Sequence, residues 1–177
     1  MIQFSEIAIA GPSDIAGLER LVNNAYRGEE AKKGWTHEAD LIEGTKRIDA
    51  AALGQLMQNE HAVILKYTLD NVIVGCVYLE KKEEMLYLGM LSVSPSIQAQ
   101  GIGRKLLKAA EAYAKELSCR SIEMTVISAR HELIAWYERN GYEKTQRSLP
   151  FHTEEKFGKP RVPVAFIIMK KNLSQLP

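Results

Sequence analysis

What this chain has little of narrows it first. Of 177 residues only two are cysteine, Cys76 and Cys119, far apart in apolar surroundings, with no C-x-x-C pair and no disulfide framework. They read as buried reduced thiols. The four histidines (His37, His61, His131, His152) share no close spacing such as H-x-x-x-H, so there is no local metal-ligand pattern and no metal is expected. An excess of one charge is also missing: 23 Lys and Arg against 22 Asp and Glu leave a formal +1. That is too weak a field to hold a polyanion, so nucleic acid is not an expected partner. No apolar run approaches the ~20 residues that cross a bilayer. The start, Met1-Ile2-Gln3-Phe4-Ser5-Glu6, has neither a basic leader nor a sustained apolar segment. A cytoplasmic protein with no membrane partner is the expectation. With 46% hydrophobic and 25% charged residues the composition is that of an ordinary globular protein, and the length suits one core, so residues 1–177 read as a single domain.

Periodicity then orders the chain. Ile2–Ala10 reads as a strand that stops at Gly11-Pro12. Ser13 can cap a helix over Asp14–Tyr26, where Ile15, Leu18, Leu21, Val22 and Ala25 recur at three- and four-residue steps. Arg27–Gly34 reads as a loop, Thr36 as the cap of a short helix to about Glu43, and Ile48–Gln58 as a further helix. His61–Leu69 and Val72–Glu80 form a hairpin across Asp70-Asn71, a pair that tolerates positive φ; after a turn at Lys81–Glu84, Met85–Val93 adds a third antiparallel strand ending at Pro95. A strong helical stripe follows from Gly103 (Leu106, Leu107, Ala110, Tyr113, Ala114, Leu117), then a strand at Ser121–Ile127. A helix over Arg130–Arg139 stops at Asn140-Gly141, a strand starts at Tyr142, Ser148–Pro163 reads as a long loop, and Val164–Lys170 is the last strand. The fold class is α/β: a mixed, mostly antiparallel central sheet flanked by helices.

The most informative string is Leu91-Ser92-Val93-Ser94-Pro95 followed by Gln98-Ala99-Gln100-Gly101-Ile102-Gly103-Arg104-Lys105, where a strand passes into a helix. Such a turn aims backbone N–H groups and the positive helix end at an anion. An isolated G-x-G is equally compatible with a plain tight turn. The dinucleotide pattern needs a third glycine where Leu106 stands, and a P-loop needs Gly-Lys-Ser/Thr, which is absent.

Here the chain resembles the GNAT superfamily of acyl-CoA-dependent N-acyltransferases, whose loop reads Gln/Arg-x-x-Gly-x-Gly/Ala; Gln98, Gly101 and Gly103 match it. Trp136-Tyr137-Glu138-Arg139-Asn140-Gly141-Tyr142 likewise looks like the family's aromatic-Tyr-Glu-x-x-Gly-aromatic string. The resemblance, close from about Val72 to Tyr142, implies acetyl-CoA as co-substrate. Main-chain groups of Leu91, Ser92 and Val93 would hold its pantetheine arm, and Gln98, Ala99, Gln100, Gly101, Ile102, Gly103, Arg104 and Lys105 its pyrophosphate. It implies that CoA lies where Met85–Val93 and Ser121–Ile127 splay apart. Tyr137 would act as general acid toward the departing thiolate; the other reading is a buried tyrosine that only packs. Two departures stand out: Arg130 and Leu133 occupy positions where the family often carries Asn and Ala. No glutamate occurs among Tyr87, Leu88, Gly89 and Met90 to serve as base.

The family's acceptor pocket corresponds to Arg27–Gly44 and Ser148–Arg161, and Trp35-Thr36-His37-Glu38-Ala39-Asp40-Leu41 is similar to a stretch in members of unassigned substrate. Tyr26, Glu29, Trp35, His37 and His152 are the candidate acceptor residues. Glu29, Glu30, Glu38, Asp40 and Glu43 would favour a cationic amine, against Lys32 and Lys33, and Tyr26 and Trp35 would offer cation–π faces. The implied reaction is direct attack of a small-molecule or peptide amine on the thioester, without an acyl-enzyme, in a monomer or a homodimer. Two other classes stay open to the sequence: a CoA-binding sensor or interaction module with little turnover, and a nucleotide-binding domain without CoA.

Overall fold

The computed structural model describes residues 6–174. Its centre is a seven-stranded sheet in the order β1-β2-β3-β4-β5-β7-β6. The strands are β1 (Ile7–Ile9), β2 (Ala62–Leu69), β3 (Val72–Lys82), β4 (Met85–Val93), β5 (Ser121–Ile127), β6 (Glu143–Pro150) and β7 (Ala165–Asn172). All neighbours are antiparallel except β4 and β5, whose connection passes through a helix. The β2–β3 hairpin closes on Asp70 and Asn71 at φ 47° and 62°, a conformation short polar side chains tolerate.

Helices cover both faces. On one lie α1 (Ile15–Tyr26) and α3 (Ala50–Met57), which bury Leu18, Leu21, Val22 and Leu53 against Ile64, Cys76, Tyr78 and Met90. Asp49 caps α3 by accepting from Ala52 N–H at 2.8 Å. On the other lie α4 (Ile102–Glu116) and α5 (His131–Arg139), which bury Leu106, Leu107, Ala110, Ile134 and Tyr137 against Leu79, Leu86, Leu88, Ile122 and Met169.

Strand β4 serves both cores because it carries a bulge. Cys76 pairs with Ser92 and Tyr78 with Gly89, so β4 has one residue more than β3 over that stretch, and Met90 sits at φ 55°. An inserted residue switches the faces of the side chains on either side. Leu88 therefore joins the α4–α5 core, while Met90 joins the α1–α3 core.

Several local expectations change. Of the first expected strand, only Ile7–Ile9 is a strand among the described residues, and residues 2–5 lie outside them. The expected loop after α1 contains a one-turn helix, α2 (Gly28–Ala31), carrying the pairs Lys32–Glu29 and Lys33–Glu30. The helix expected from Thr36 to about Glu43 is reduced to one turn, Ile42 N–H to Glu38 C=O at 2.9 Å. Its continuation is diverted: Glu43 N–H donates to Lys159 C=O at 2.8 Å, and Ile42 bridges Pro160. The expected loop at Ser148–Pro163 begins later, because β6 runs through Pro150. Among the described residues no helix is long and apolar enough to cross a membrane.

Candidate active site

Strands β4 and β5 are paired only from Met85 to Tyr87, opposite Ser121 to Glu123. Beyond Tyr87 they diverge, and the gap opens toward the loop that starts α4. In that loop Ala99 and Gly101 both take left-handed backbone, at φ 67° and 76°. The turn then enters α4 without a side-chain N-cap bond, which leaves the first-turn N–H groups for a ligand. They coincide with the positive end of a 15-residue helix. Gly103 faces the Trp136 ring, to which an added Cβ would come within 3.3 Å.

A cavity of about 340 Å³ fills this gap, lined by Leu91, Ser92, Val93, Gln98, Ala99, Gly101, Ile102, Gly103 and Arg104 with Trp35, Trp136 and Tyr137. A second, of about 290 Å³, lies beside it and is lined by Glu38, Arg47, Tyr87, Met124, His152 and Phe166. Tyr26, Leu91, Arg130, Leu133 and Tyr137 line both. We call them the outer and inner cavities.

Tyr137 stands at their junction on α5, 5% exposed, its ring edge-on to Trp136 and Tyr142 at 5.1 and 5.8 Å. Its hydroxyl makes no hydrogen bond to any described residue. Burial pushes the phenol well above its usual titration range, with Tyr26 adding to the shift and Arg130 opposing it. The group is thus a neutral O–H, able to donate, at physiological pH.

Of the expected donor-side residues, Gln100 and Lys105 do not line the outer cavity. Lys105 instead reaches Tyr67 Oη at 3.0 Å. Gln98 contributes more than backbone: its Oε1 accepts from Trp35 N–H at 2.9 Å while its Nε2 donates to Val93 C=O at 3.3 Å, which ties the Trp35 loop to β4. Leu91 C=O accepts from Tyr26 Oη at 2.7 Å. Two main-chain carbonyls expected to face pantetheine are thus held by the protein's own side chains.

On the acceptor side, Tyr26, Trp35 and His152 line the cavities, while Glu29 and His37 do not. Glu29 pairs with Lys32 at the surface, and His37 accepts from Ala39 N–H at 3.2 Å. Sequence reasoning missed a buried charge cluster. Glu38 holds Arg27 at 2.9 Å and Arg130 at 3.5 Å, all three at most 5% exposed. Arg130 also donates to Thr36 Oγ1 at 2.8 Å, and the guanidinium of Arg47 lies 4.1 Å over the Tyr26 ring. The ring face expected to receive a cationic substrate is occupied by this arginine. Arg130 was visible as a departure from the family pattern, but nothing in the string around Arg47 marked it.

Neither cysteine takes part. Both are buried, unpaired thiols; burial pushes Cys76 up to about 12 and raises Cys119 as well. Among the described residues no group of three or more His, Cys, Asp or Glu is placed to hold a metal ion.

Known structures share this architecture. The ribosomal-protein-S18-alanine N-acetyltransferase of Escherichia coli superposes with a TM-score of 0.72 at 15% identity, over 97% of this chain and 95% of that one. A ribosomal-protein-alanine N-acetyltransferase from Brucella melitensis gives 0.70 at 20% identity, over 94% and 99%. The PaiA N-acetyltransferase of Thermoplasma acidophilum, in complex with coenzyme A, gives 0.69 at 18% identity, over 95% and 98%. At these identities the likeness establishes the fold. The model of the acetyltransferase (GNAT) family matches residues 21–142, more than half of the sequence, and the chain belongs to that family.

Proposed function

We propose that this protein, as a single GNAT domain, transfers an acetyl group from acetyl-CoA to a primary amine of a small molecule or peptide by direct attack, with Tyr137 as general acid. One observation carries the reading. The gap between β4 and β5 has a left-handed, amide-rich loop at one end and the unpartnered hydroxyl of a buried tyrosine on its wall. Family membership and the coenzyme A complex of a similar structure support acetyl-CoA as the donor.

In this scheme the first-turn amides of α4 and the neighbouring loop hold the pyrophosphate, and the part of the β4 edge not already held at the Leu91 and Val93 carbonyls takes the pantetheine amides. The acceptor amine enters from the inner cavity, where His152, directly or through water, takes its proton. The amine nitrogen bonds to the acetyl carbon, the C–S bond breaks, and Tyr137 gives its proton to the sulfur and regains one from solvent. No cysteine is acylated: neither lines either cavity, and burial pushes the Cys76 thiol up to about 12 and raises Cys119 as well.

Release of free thiol from acetyl-CoA, followed across a panel of polyamines, aminoglycosides, amino acids and peptide N-termini, tests this. We expect turnover with at least one amine and a sharp fall in kcat for Tyr137→Phe. CoA binding with no amine acetylated and no effect of Tyr137→Phe would leave a CoA-binding module instead.

A further inference from the structure

The wall of the inner cavity is unbalanced in charge. Two guanidinium groups, those of Arg47 and Arg130, line it with a single carboxylate, Glu38, which also pairs with Arg27 outside the lining. Arg27 is fully engaged: it pairs with Glu38 and donates to the carbonyls of Phe157 at 2.5 Å and Lys46 at 3.3 Å. Arg130 is not. Its contact with Glu38 is long at 3.5 Å, and its Nε is buried with no hydrogen-bond partner. The Arg47 side chain makes no hydrogen bond or ion pair with any described residue and rests on the Tyr26 ring. Both guanidinium carbons lie within 5.5 Å of that ring's centroid. The other polar groups on this wall, the hydroxyls of Tyr26, Tyr87, Tyr137 and Thr125 and the imidazole of His152, supply no negative charge at neutral pH.

Guanidinium donors turned from water and left unused are costly unless an acceptor arrives, and Arg130 Nε and the half-buried Arg47 are in that position. Arginine suits an oxyanion in particular, because its planar fork donates two parallel hydrogen bonds to a carboxylate.

We infer that the acceptor is an amine that carries a carboxylate, an amino acid or a molecule of that size, and that Arg47 and Arg130 bind the carboxylate in the inner cavity. The assignment rests on the acetyl-transfer reading above and names its substrate class. A cavity of about 290 Å³ admits such a molecule, and Leu91 and Tyr137 place it against the outer cavity, where the thioester would lie. Of the acidic residues that would have favoured a cationic acceptor, Glu29 and Glu30 pair with lysines at the surface, Glu38 is held by arginines, and Asp40 and Glu43 line neither cavity.

The test compares amino acids with their own carboxamides in the thiol-release assay, a comparison on the native protein that needs no variant. We expect the best amino acid to exceed its carboxamide in kcat/KM by about 30-fold or more. Arg47→Met is expected to raise KM for the amino acid about tenfold, with KM for acetyl-CoA shifted less than about twofold, and Arg47→Lys to restore part of the preference. Equal or better use of carboxamides, polyamines or peptide N-termini would overturn the inference and leave acetyl transfer standing. So would a preference for 2-aminoethylphosphonate over every carboxylate, or an unchanged carboxylate preference in Arg47→Met. Calorimetry with acetyl-CoA separates the two failures: donor binding with no amine acetylated removes the acetyl-transfer reading itself, and the inference with it.

Discussion

On the side of this molecule proposed to hold the donor, β4, the left-handed loop and α4 follow one another along the chain and present mostly backbone. On the side proposed for the acceptor, residues 27–49 and 151–163 come from opposite ends and are joined by side chains, as in the Arg27 bond to Phe157, 130 positions away. A local, backbone-built site tolerates most side-chain changes that preserve its φ angles. A site assembled from distant side chains depends on each of them.

Two left-handed glycines, one per side, break this comparison most sharply. At Gly158, φ is 102° and an added Cβ would lie 1.9 Å from Glu43 C=O, backbone that cannot step aside. At Gly101, φ is 76° and an added Cβ meets nothing within 4 Å. In chemical denaturation Gly158→Ala should cost on the order of 4 kcal/mol. Gly101→Ala should cost only the conformational penalty, about 1 kcal/mol. Equal losses would show that the two sides do not differ as described.

Next in size is Glu38→Gln, which leaves Arg27 and Arg130 buried without their carboxylate and should lower stability by about 3 kcal/mol in the same experiment. Tyr137→Phe should do the reverse of a structural change: kcat falls by about 100-fold, while the melting temperature, read by circular dichroism, stays put because the hydroxyl has no partner among the described residues. A large drop in melting temperature would mark Tyr137 as a packing residue only.

The smallest effect lies away from both sides. Asp14 is held below the usual carboxylate value of 3.8, chiefly by its hydrogen bond from Lys66, then by Gly11 N–H. A depressed folded-state pKa stabilises above the unfolded value and is lost as pH falls through the folded one. Wild type should therefore be more stable than Asp14→Asn by a constant margin above about pH 5, and the margin should shrink below 3.8. A margin unchanged down to about pH 2 would remove this role.

How much was legible follows the same division. The bounds of β4 and β5 come directly from alternating and β-branched residues, and α4 from the stripe through Leu106, Leu107 and Ala110. The Gln98–Gly103 string places the loop because its geometry is written in adjacent residues. Residues 36–43 read as a helix because Thr36 can cap one. Lys159 C=O accepts from the Glu43 N–H and Arg161 N–H donates to the Leu41 C=O, the groups that would have continued it, and nothing within residues 36–43 encodes that. Arg47 and Arg130 share the Tyr26 ring only after α1, α3 and α5 are in place, and so no local pattern could pair them.

The parting of β4 from β5 gives this sheet a third edge, in its middle rather than at its rim. A rim strand invites other chains to add themselves, and proteins guard it with charge, bulges or short length. An inner edge is guarded by its walls: Trp136 and Tyr137 stand along this one, and the Trp35 loop, clipped by Gln98, crosses its mouth. The hydrogen-bonding capacity that would make a rim strand sticky is here walled by side chains, and part of it is already taken at the Leu91 and Val93 carbonyls.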